Sequence, residues 1–195
     1  LLPVSVRDRL DKSLRTPAVA AHERQSEYLF SLIAEAADYL ITRYEAQVLF
    51  VPFWPGRDEE QAAAVVAKMR NRSATHILRG EQPARVLRAL LGEMDAVLAM
   101  RLHALILSAA SGVPVLGFSY ARKVSGFLAA VGQGDRDFDP ANLDWVRLKR
   151  ALDTLWAERD AIRHTLLERV ATLQAAAGED RAVAARLLGP AGGGG

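Results

Sequence analysis

The sequence contains no cysteine, and that absence removes several kinds of chemistry at once. Disulfide bridges, zinc–thiolate sites and thiol nucleophiles are all excluded. The sequence also lacks an excess of charge of one sign, because 25 basic and 23 acidic side chains leave a formal net charge of +2. So small a surplus does not predict nucleic acid or an anionic membrane as a partner.

Long hydrophobic runs are absent as well. No apolar stretch is long enough to span a bilayer, and the chain does not open with the pattern of a signal peptide. Half of the 195 residues are hydrophobic and a quarter are charged, which is an ordinary balance for a globular domain with its own core. Leu1 leads into an apolar stretch without an initiator methionine, so we expect a fragment of a longer protein.

Short apolar segments alternate with helical patterns along the first two thirds of the chain. This alternation, with segments that are apolar on both faces, is typical of parallel strands covered by helices on both sides. Right-handed crossovers between such strands give an α/β fold with a doubly wound, five-stranded, Rossmann-like parallel sheet. The strands are predicted at 2–6, 47–53, 75–78, 96–100 and 113–118. Helices are predicted at 18–43, 102–110 and 123–131. Two more helices are predicted between the second and fourth strands, one capped by Asp58 and one with Pro83 in its first turn.

The pattern changes after Pro140. Residues 143–177 are almost entirely helical in pattern, and apolar side chains from Trp145 to Val170 form one stripe. We therefore expect a Rossmann-like domain over 1–140 and a C-terminal helical extension over 141–188 that packs on it. Residues 189–195 are rich in glycine and are expected to form a disordered tail.

Arg101 and His103 are the most informative polar residues. In an open parallel sheet, ligands bind beyond the carboxyl ends of the strands, where helix N-termini attract anions. The fourth predicted strand ends near Met100, so both residues lie at a helix N-terminus, where a cation is unfavourable unless an anion binds. Arginine suits phosphate or carboxylate, and histidine can hold or deliver a proton near neutral pH. On spacing alone, a surface arginine and an ordinary first-turn histidine explain the pattern equally well.

Five further polar residues follow other predicted strands. Ser5 and Arg7 come at the end of the first strand, which is normally central in this fold. Ser119, Tyr120 and Lys123 follow the fifth strand and add hydroxyl donors and a cation. Structural explanations exist here too, such as a solvated arginine or a tyrosine with a packed ring. No glycine-rich dinucleotide or phosphate loop follows the first strand, and no histidine spacing predicts a metal site.

One family resemblance is specific. It rests on the segment MRLHALILSAASGVPVLGFSY at 100–120, followed by Lys123-Val124, which resembles the polysaccharide pyruvyl transferases. That family has an Arg-Leu-His-Ala-Leu-Ile run before a Gly-Val-Pro turn and a strand that ends in Ser-Tyr. Residues 3–8 and 48–53 are similar to two further strands of the family. One departure is Ala121-Arg122, where the family often has Asp-Pro, so no carboxylate role is assigned at 121.

The resemblance implies a two-domain enzyme of glycosyltransferase-B-like architecture, with this chain as its C-terminal, donor-binding half. Family members transfer an enolpyruvyl unit from phosphoenolpyruvate to a sugar diol, form a pyruvate ketal and release phosphate. The acceptor is a cell-envelope or exopolysaccharide sugar, often on a lipid-linked precursor, which implies an enzyme of the cytoplasm or of the inner face of the membrane. The implied partners are the donor substrate, the saccharide acceptor and an N-terminal domain of the same enzyme, with no cofactor and no nucleic acid.

The resemblance also implies roles for the candidate residues. His103 is expected to act as the acid or proton shuttle, and Arg101 to bind phosphate or carboxylate. The other donor-binding residues are Arg7, Ser5, Ser119, Tyr120 and Lys123. Two further functions remain open, namely a sugar-nucleotide-dependent glycosyltransferase or epimerase of the same architecture, and a non-catalytic module that packs on a partner through its C-terminal apolar stripe.

Overall fold

The structure, a computed structural model, describes residues 17–188 of the chain, with side chains at 21 and 23–177. The strand predicted at 2–6, with Ser5 and Arg7, and the tail predicted at 189–195 lie outside the described residues. The helices are α1 (Pro17–Tyr44), α2 (Arg57–Lys68), α3 (Ala84–Gly92), α4 (Leu102–Ala109), α5 (Arg122–Ala130), α6 (Trp145–Ala157) and α7 (Arg159–Leu188). The strands are β1 (Val48–Phe50), β2 (Thr75–Ile77), β3 (Val97–Ala99), β4 (Val115–Phe118) and β5 (Asp137–Phe138).

The helices form where the sequence pattern predicts them. Leu29, Leu32 and Ala36 of α1 are buried, and their spacing is that of one face of an amphipathic helix. Gly112 and Gly132 follow α4 and α5 with φ angles of 75° and 74°, a conformation that residues with a Cβ atom avoid. The predicted ends of these two helices are therefore confirmed, and each has a backbone reason.

All strand pairs among the described residues are parallel, as the alternation of strands and helices predicts. They form two sheets, β1-β2 and β3-β4-β5, so the single five-stranded sheet is not seen within 17–188. Strand β5 is not predicted from the sequence, yet Asp137 and Phe138 pair with Gly117 and Phe118 of β4. A segment with one apolar side chain lacks the pattern that predicts a buried strand.

The chain forms two compact units. Within the described residues, the first unit comprises 17–84 and 139–154, and the second comprises 85–138 and 155–188. The greater part of α6 therefore belongs to the first unit, and its last residues belong to the second. None of the described helices combines the length and the hydropathy needed to cross a membrane.

An apolar cluster joins α1 to α2 in the first unit. Next to it, the buried Asp38 carboxylate accepts hydrogen bonds from the backbone N–H groups of Arg70 and Asn71 at 2.8–3.1 Å. Burial alone would raise the pKa of Asp38, but these hydrogen bonds hold it below its usual value. The chain that follows α2 is thereby fixed to α1. The buried members of the apolar cluster are Phe30, Ala34, Ala37, Val65 and Met69.

A polar cluster holds the N-terminal part of α6 against α1 in the same unit. The hydroxyls of Tyr39 and Tyr44 donate to Oδ1 of Asp153 at 2.5 and 2.7 Å, and Nζ of Lys149 donates to Oδ2 at 2.9 Å. The ring of Trp145 meets that of Tyr39 edge to face, with 5.6 Å between the centroids, an arrangement that aromatic pairs favour. Both carboxylate oxygens of Asp153 therefore have partners.

Strand β4 is the centre of the second unit, because all four of its residues are buried. Gly117 in this strand has no side chain, which lets Leu128 of α5 and Leu105 of α4 pack closely against it. Helix α7 packs on α4 through a second apolar cluster. This core fixes the ends of β3 and β4, from which the candidate site is built. The buried members of the second cluster are Ala109, Val131, Ile162, Leu166 and Val170.

Candidate functional site

The candidate site lies at the carboxyl edge of the β3-β4-β5 sheet, the edge at which these parallel strands end. Ala99 of β3 is the pairing partner of Gly117 of β4. Arg101 and Ser119 each follow two residues beyond this pair, so the register brings the two to the same edge. Neighbouring strands are about 4.8 Å apart, and the segments after β3 and β4 are therefore close neighbours. The structure thus brings two of the three predicted groups of site residues, those that follow β3 and β4, to one edge.

Helix α4 begins at this edge directly after β3. Arg101 is its N-cap, with the extended backbone angles φ −86° and ψ 120° and no capping hydrogen bond from its side chain. The carbonyl of Arg101 accepts a hydrogen bond from the N–H of Leu105 at 3.2 Å. Arg101 is half-buried, whereas His103 is exposed in the first turn. The imidazole is therefore accessible to a substrate from solvent.

Helix α5 begins at the same edge after β4. Its N-cap, Ala121, is extended and has no side chain to cap the helix, although its carbonyl accepts a hydrogen bond from Val124 at 3.0 Å. The Tyr120 side chain before the helix is 59% exposed, and Arg122 and Lys123 in its first turn are exposed. Two helix N-termini and several polar side chains are thus available to a ligand at this edge.

The first turns of α4 and α5 are electrostatically unusual. Neither contains a carboxylate, whereas the first turn of α2 contains Asp58, Glu59 and Glu60. Carboxylates at a helix N-terminus offset the positive end of the helix dipole. At the carboxyl edge of β3-β4-β5 the dipoles are not offset but are reinforced by cationic side chains. An anionic ligand is the group that such an arrangement favours.

Asp58 itself does not cap α2 as the sequence predicts. The N-cap is Gly56, and Oδ2 of Asp58 accepts hydrogen bonds from the backbone N–H groups of Phe53 and Trp54 at 3.1 and 3.0 Å. The carboxylate therefore orders the loop after β1 instead of the helix terminus. The prediction was wrong because an aspartate in the first turn and an aspartate at the cap leave similar patterns in a sequence.

Ser119 is held by β5 in a way that sequence reasoning missed. Its N–H donates to the carbonyl of Phe138 at 2.8 Å, and its Oγ donates a hydrogen bond to Oδ1 of Asp137. Asp137 is half-buried and brings a carboxylate to an edge otherwise rich in cations. The signal in the sequence is slight, because Phe138 is a single apolar residue between Asp137 and Asp139, just before Pro140.

A surface depression of about 360 Å³ lies elsewhere in the second unit. Gly92 and Glu93 of its lining precede β3, and Ser111 precedes β4, so the depression is at the amino edge of the sheet. None of the predicted site residues lines it. The lining residues are Arg85, Arg88, Ala89, Gly92, Glu93 and Ser111.

The described part of the chain contains no group of three or more histidine and carboxylate residues arranged to hold a metal ion.

Comparison with known proteins decides the family. A family model described as polysaccharide pyruvyl transferase matches residues 3–122, which is more than half of the chain. The chain belongs to the polysaccharide pyruvyl transferase family. It has no significant match among curated proteins or among solved structures.

Membership of the pyruvyl transferase family supports transfer of a pyruvyl group to a polysaccharide as the general reaction. The matched range contains Ser5 and Arg7 as well as Arg101, His103 and the Ser119-Tyr120 pair. It ends at residue 122, immediately before Lys123, and it does not include β5. The pyruvyl transferase match thus covers the starts of both α4 and α5, and Asp137 is a feature of the remaining part of the chain.

Proposed function

We propose that the protein transfers a pyruvyl group from phosphoenolpyruvate to a sugar diol of a cell-envelope polysaccharide, with formation of a pyruvate ketal and release of phosphate. The observation that carries this proposal is the carboxyl edge of the β3-β4-β5 sheet. There α4 and α5 begin with cationic side chains and without carboxylates in their first turns. Phosphoenolpyruvate has both a phosphate and a carboxylate, and two helix N-termini suit two anionic groups.

Arg101 and Lys123 supply the positive charge for the donor. A guanidinium binds phosphate or carboxylate through two parallel hydrogen bonds, whereas an ammonium acts as a point charge. Ser119 and Tyr120 offer hydroxyl groups beside them, and Ser5 and Arg7 belong to the same proposed donor site. Sugar nucleotides also contain phosphates, so a glycosyltransferase or epimerase would use a similar edge. Binding measurements with phosphoenolpyruvate and with a panel of sugar nucleotides separate these functions.

His103 supplies the proton that the reaction needs. Protonation of the methylene carbon of phosphoenolpyruvate makes the neighbouring carbon electron-deficient and open to attack by a sugar hydroxyl. An imidazolium can donate that proton near neutral pH, and His103 is exposed in the first turn of α4. The second hydroxyl of the diol then displaces phosphate and closes the ketal. In this proposal the cationic side chains and helix dipoles bind the anionic groups of the donor, and His103 provides the proton.

The larger architecture is part of the same proposal. Each sheet by itself has consecutive parallel strands joined through helices, which is the order found in either half of a doubly wound sheet. We propose a Rossmann-like donor domain over 1–140 with a helical extension over 141–188, joined to an N-terminal domain in a glycosyltransferase-B-like enzyme. The acceptor is then a sugar or a lipid-linked saccharide, used in the cytoplasm or at the inner face of the membrane.

Replacement of His103 by alanine tests the proposal in the full-length enzyme. We expect kcat for phosphate release from phosphoenolpyruvate to fall about 10²- to 10⁴-fold, because removal of a general acid has effects of this size. The melting temperature should not change, since the imidazole is exposed. His164→Ala is the matched control, because His164 is exposed on α7 and pairs with Glu168 at 3.3 Å. Unchanged turnover in His103→Ala would contradict the assigned role.

A further inference from the structure

We propose that Ser119 and Asp137 form a proton relay that accepts the proton of the attacking sugar hydroxyl. The inference rests on the proposed function and adds the base that this reaction requires. A hydroxyl group must lose its proton as it bonds to carbon, and a positioned carboxylate is a common general base. The first turns of α4 and α5 contain no carboxylate. Asp137 brings one to the same edge from β5.

The backbone fixes the geometry of this pair. Gly117 of β4 is the pairing partner of Asp137, and the ladder continues with the hydrogen bond from Ser119 N–H to the Phe138 carbonyl at 2.8 Å. Side chains two residues apart on a strand point to the same face, so Ser119 follows Gly117 on the face shared with Asp137. The Ser119 hydroxyl donates to Oδ1 of Asp137. Asp137 therefore lies within β5, and Ser119, one residue beyond β4, is held beside it by the backbone hydrogen bond.

The hydrogen-bond direction suits a relay. A serine hydroxyl whose proton is engaged with a carboxylate still has lone pairs that accept from a second hydroxyl. A sugar hydroxyl can therefore donate to Ser119 Oγ while Ser119 donates to Asp137. Ser119 and Asp137 are both half-buried, so a sugar hydroxyl can reach them. An aspartate that only supported the fold would not need to be exposed to solvent.

The nearest cation in the sequence does not neutralise Asp137. Arg136 donates to Asp135 at 3.0 Å and to Glu158 at 3.2 Å, so its guanidinium has two other carboxylates as partners. Within the described residues Asp137 forms no ion pair. Its carboxylate is therefore engaged by the Ser119 hydroxyl and not by Arg136. The other charged and titratable groups that follow β3 and β4 at this edge are Arg101, His103, Tyr120, Arg122 and Lys123.

The relay completes the proposed reaction without an oxidant or reductant. His103 donates a proton to the methylene carbon, and the oxygen of the first sugar hydroxyl bonds to the adjacent carbon. Its proton passes to Ser119 Oγ while the serine proton passes to Asp137. The second hydroxyl then bonds to the same carbon, the bond from that carbon to the phosphate oxygen breaks, and the second proton leaves with the phosphate. Asp137 finally releases its proton to water as His103 takes one up.

Variants of the pair in the full-length enzyme test the relay through kinetics. We expect Asp137→Asn to lower kcat about 10²- to 10⁴-fold while KM for phosphoenolpyruvate changes less than about twofold. Asp137→Glu should recover part of the loss, because it keeps a carboxylate. Ser119→Ala should also be slow, and the double variant should be no slower than the slower single one, since groups of one relay act as a unit. Asp135→Asn and Ser125→Ala are matched controls that should keep the wild-type rate.

The pH profile separates a relay from a structural role. In the wild-type enzyme kcat should fall on the acidic side as the base becomes protonated, and Asp137→Asn should lack that decrease. An Asn variant with wild-type kcat overturns the relay. So does a slow Asn variant that keeps the acidic decrease and melts at a lower temperature. If the wild-type enzyme releases no phosphate from phosphoenolpyruvate with any acceptor, the proposed function is overturned together with the relay.

Discussion

Asp153 shows how a single ionised residue can fasten two helices. Burial alone would raise the pKa of its carboxyl group, but hydrogen bonds from Tyr39, Lys149 and Tyr44 lower that pKa from 3.8 to about 2. The same cluster raises the pKa of Tyr44 to about 12, through burial and then through its hydrogen bond to Asp153. The cluster is therefore strongest between these limits, with Asp153 ionised and Tyr44 neutral.

Acid should weaken this cluster over a defined range of pH. A lowered pKa in the folded state stabilises the protein above the unfolded value of 3.8, and this contribution disappears as pH falls through about 2. We expect Asp153→Asn to lower the free energy of unfolding at pH 7 by about 1 kcal/mol, after allowance for solvent screening of a partly exposed group. Urea unfolding at several pH values between 7 and 2.5 measures the difference.

The difference between wild type and Asp153→Asn should shrink as pH falls below about 4, because Asp153 of the unfolded chain then takes up a proton while the folded protein still holds the carboxylate ionised. Asp95→Asn is the control, since Asp95 is an exposed aspartate in the loop before β3. A difference that stayed constant over the whole range would contradict the assigned ionisation of Asp153.

At the scale of elements, β4 and α5 pack closely against each other at Gly117. A Cβ atom at Gly117 would lie 2.5 Å from Cδ1 of Leu128 and 3.5 Å from Cδ1 of Leu105. Both leucines are fully buried and have little room to move. Glycine is therefore required here by close packing rather than by its backbone angles.

Replacement of Gly117 by alanine should destabilise the protein by about 1–3 kcal/mol, the usual cost of an extra methyl group in a packed core. Gly126→Ala is the matched control within α5, because a Cβ atom at Gly126 has nothing within 4 Å. There alanine should stabilise the helix by about 0.5–1 kcal/mol. Thermal unfolding of both variants checks the opposite signs, and a neutral Gly117→Ala would show that the core is loosely packed.

Elements were predictable from sequence where their apolar pattern is long and regular. Helix α1 matches its predicted range to within one residue at each end, because six apolar positions mark its buried face. Strand β5 is not predicted, because it has no apolar pattern. It is a strand because it pairs with Gly117 and Phe118 of β4. The residues of the candidate site also differ in how far the sequence predicts them. Arg101 and His103 were found from an adjacent strand and helix start, whereas Asp137 depends on a contact 18 residues away along the chain.

At the scale of the whole molecule, burial predicts where the structure opens last. All four residues of β4 are buried, whereas those of β1 are only partly buried. Amides in the most buried elements exchange through the largest opening events. We expect native-state hydrogen exchange to be slower for the amides of β4 than for those of β1. Equal rates in the two strands would contradict this order of stability.

The sequence by itself determined the kinds of element, their order, the family and the positions of Arg101 and His103, because these follow from local periodicity and from short motifs. Only the tertiary structure decided that the described strands form two sheets, that β5 pairs with β4, and that Asp137 meets the hydroxyl of Ser119. These features depend on backbone hydrogen bonds between segments far apart in the chain. Such pairings leave no local pattern, because each partner is a common residue in an ordinary loop until the fold brings the two together.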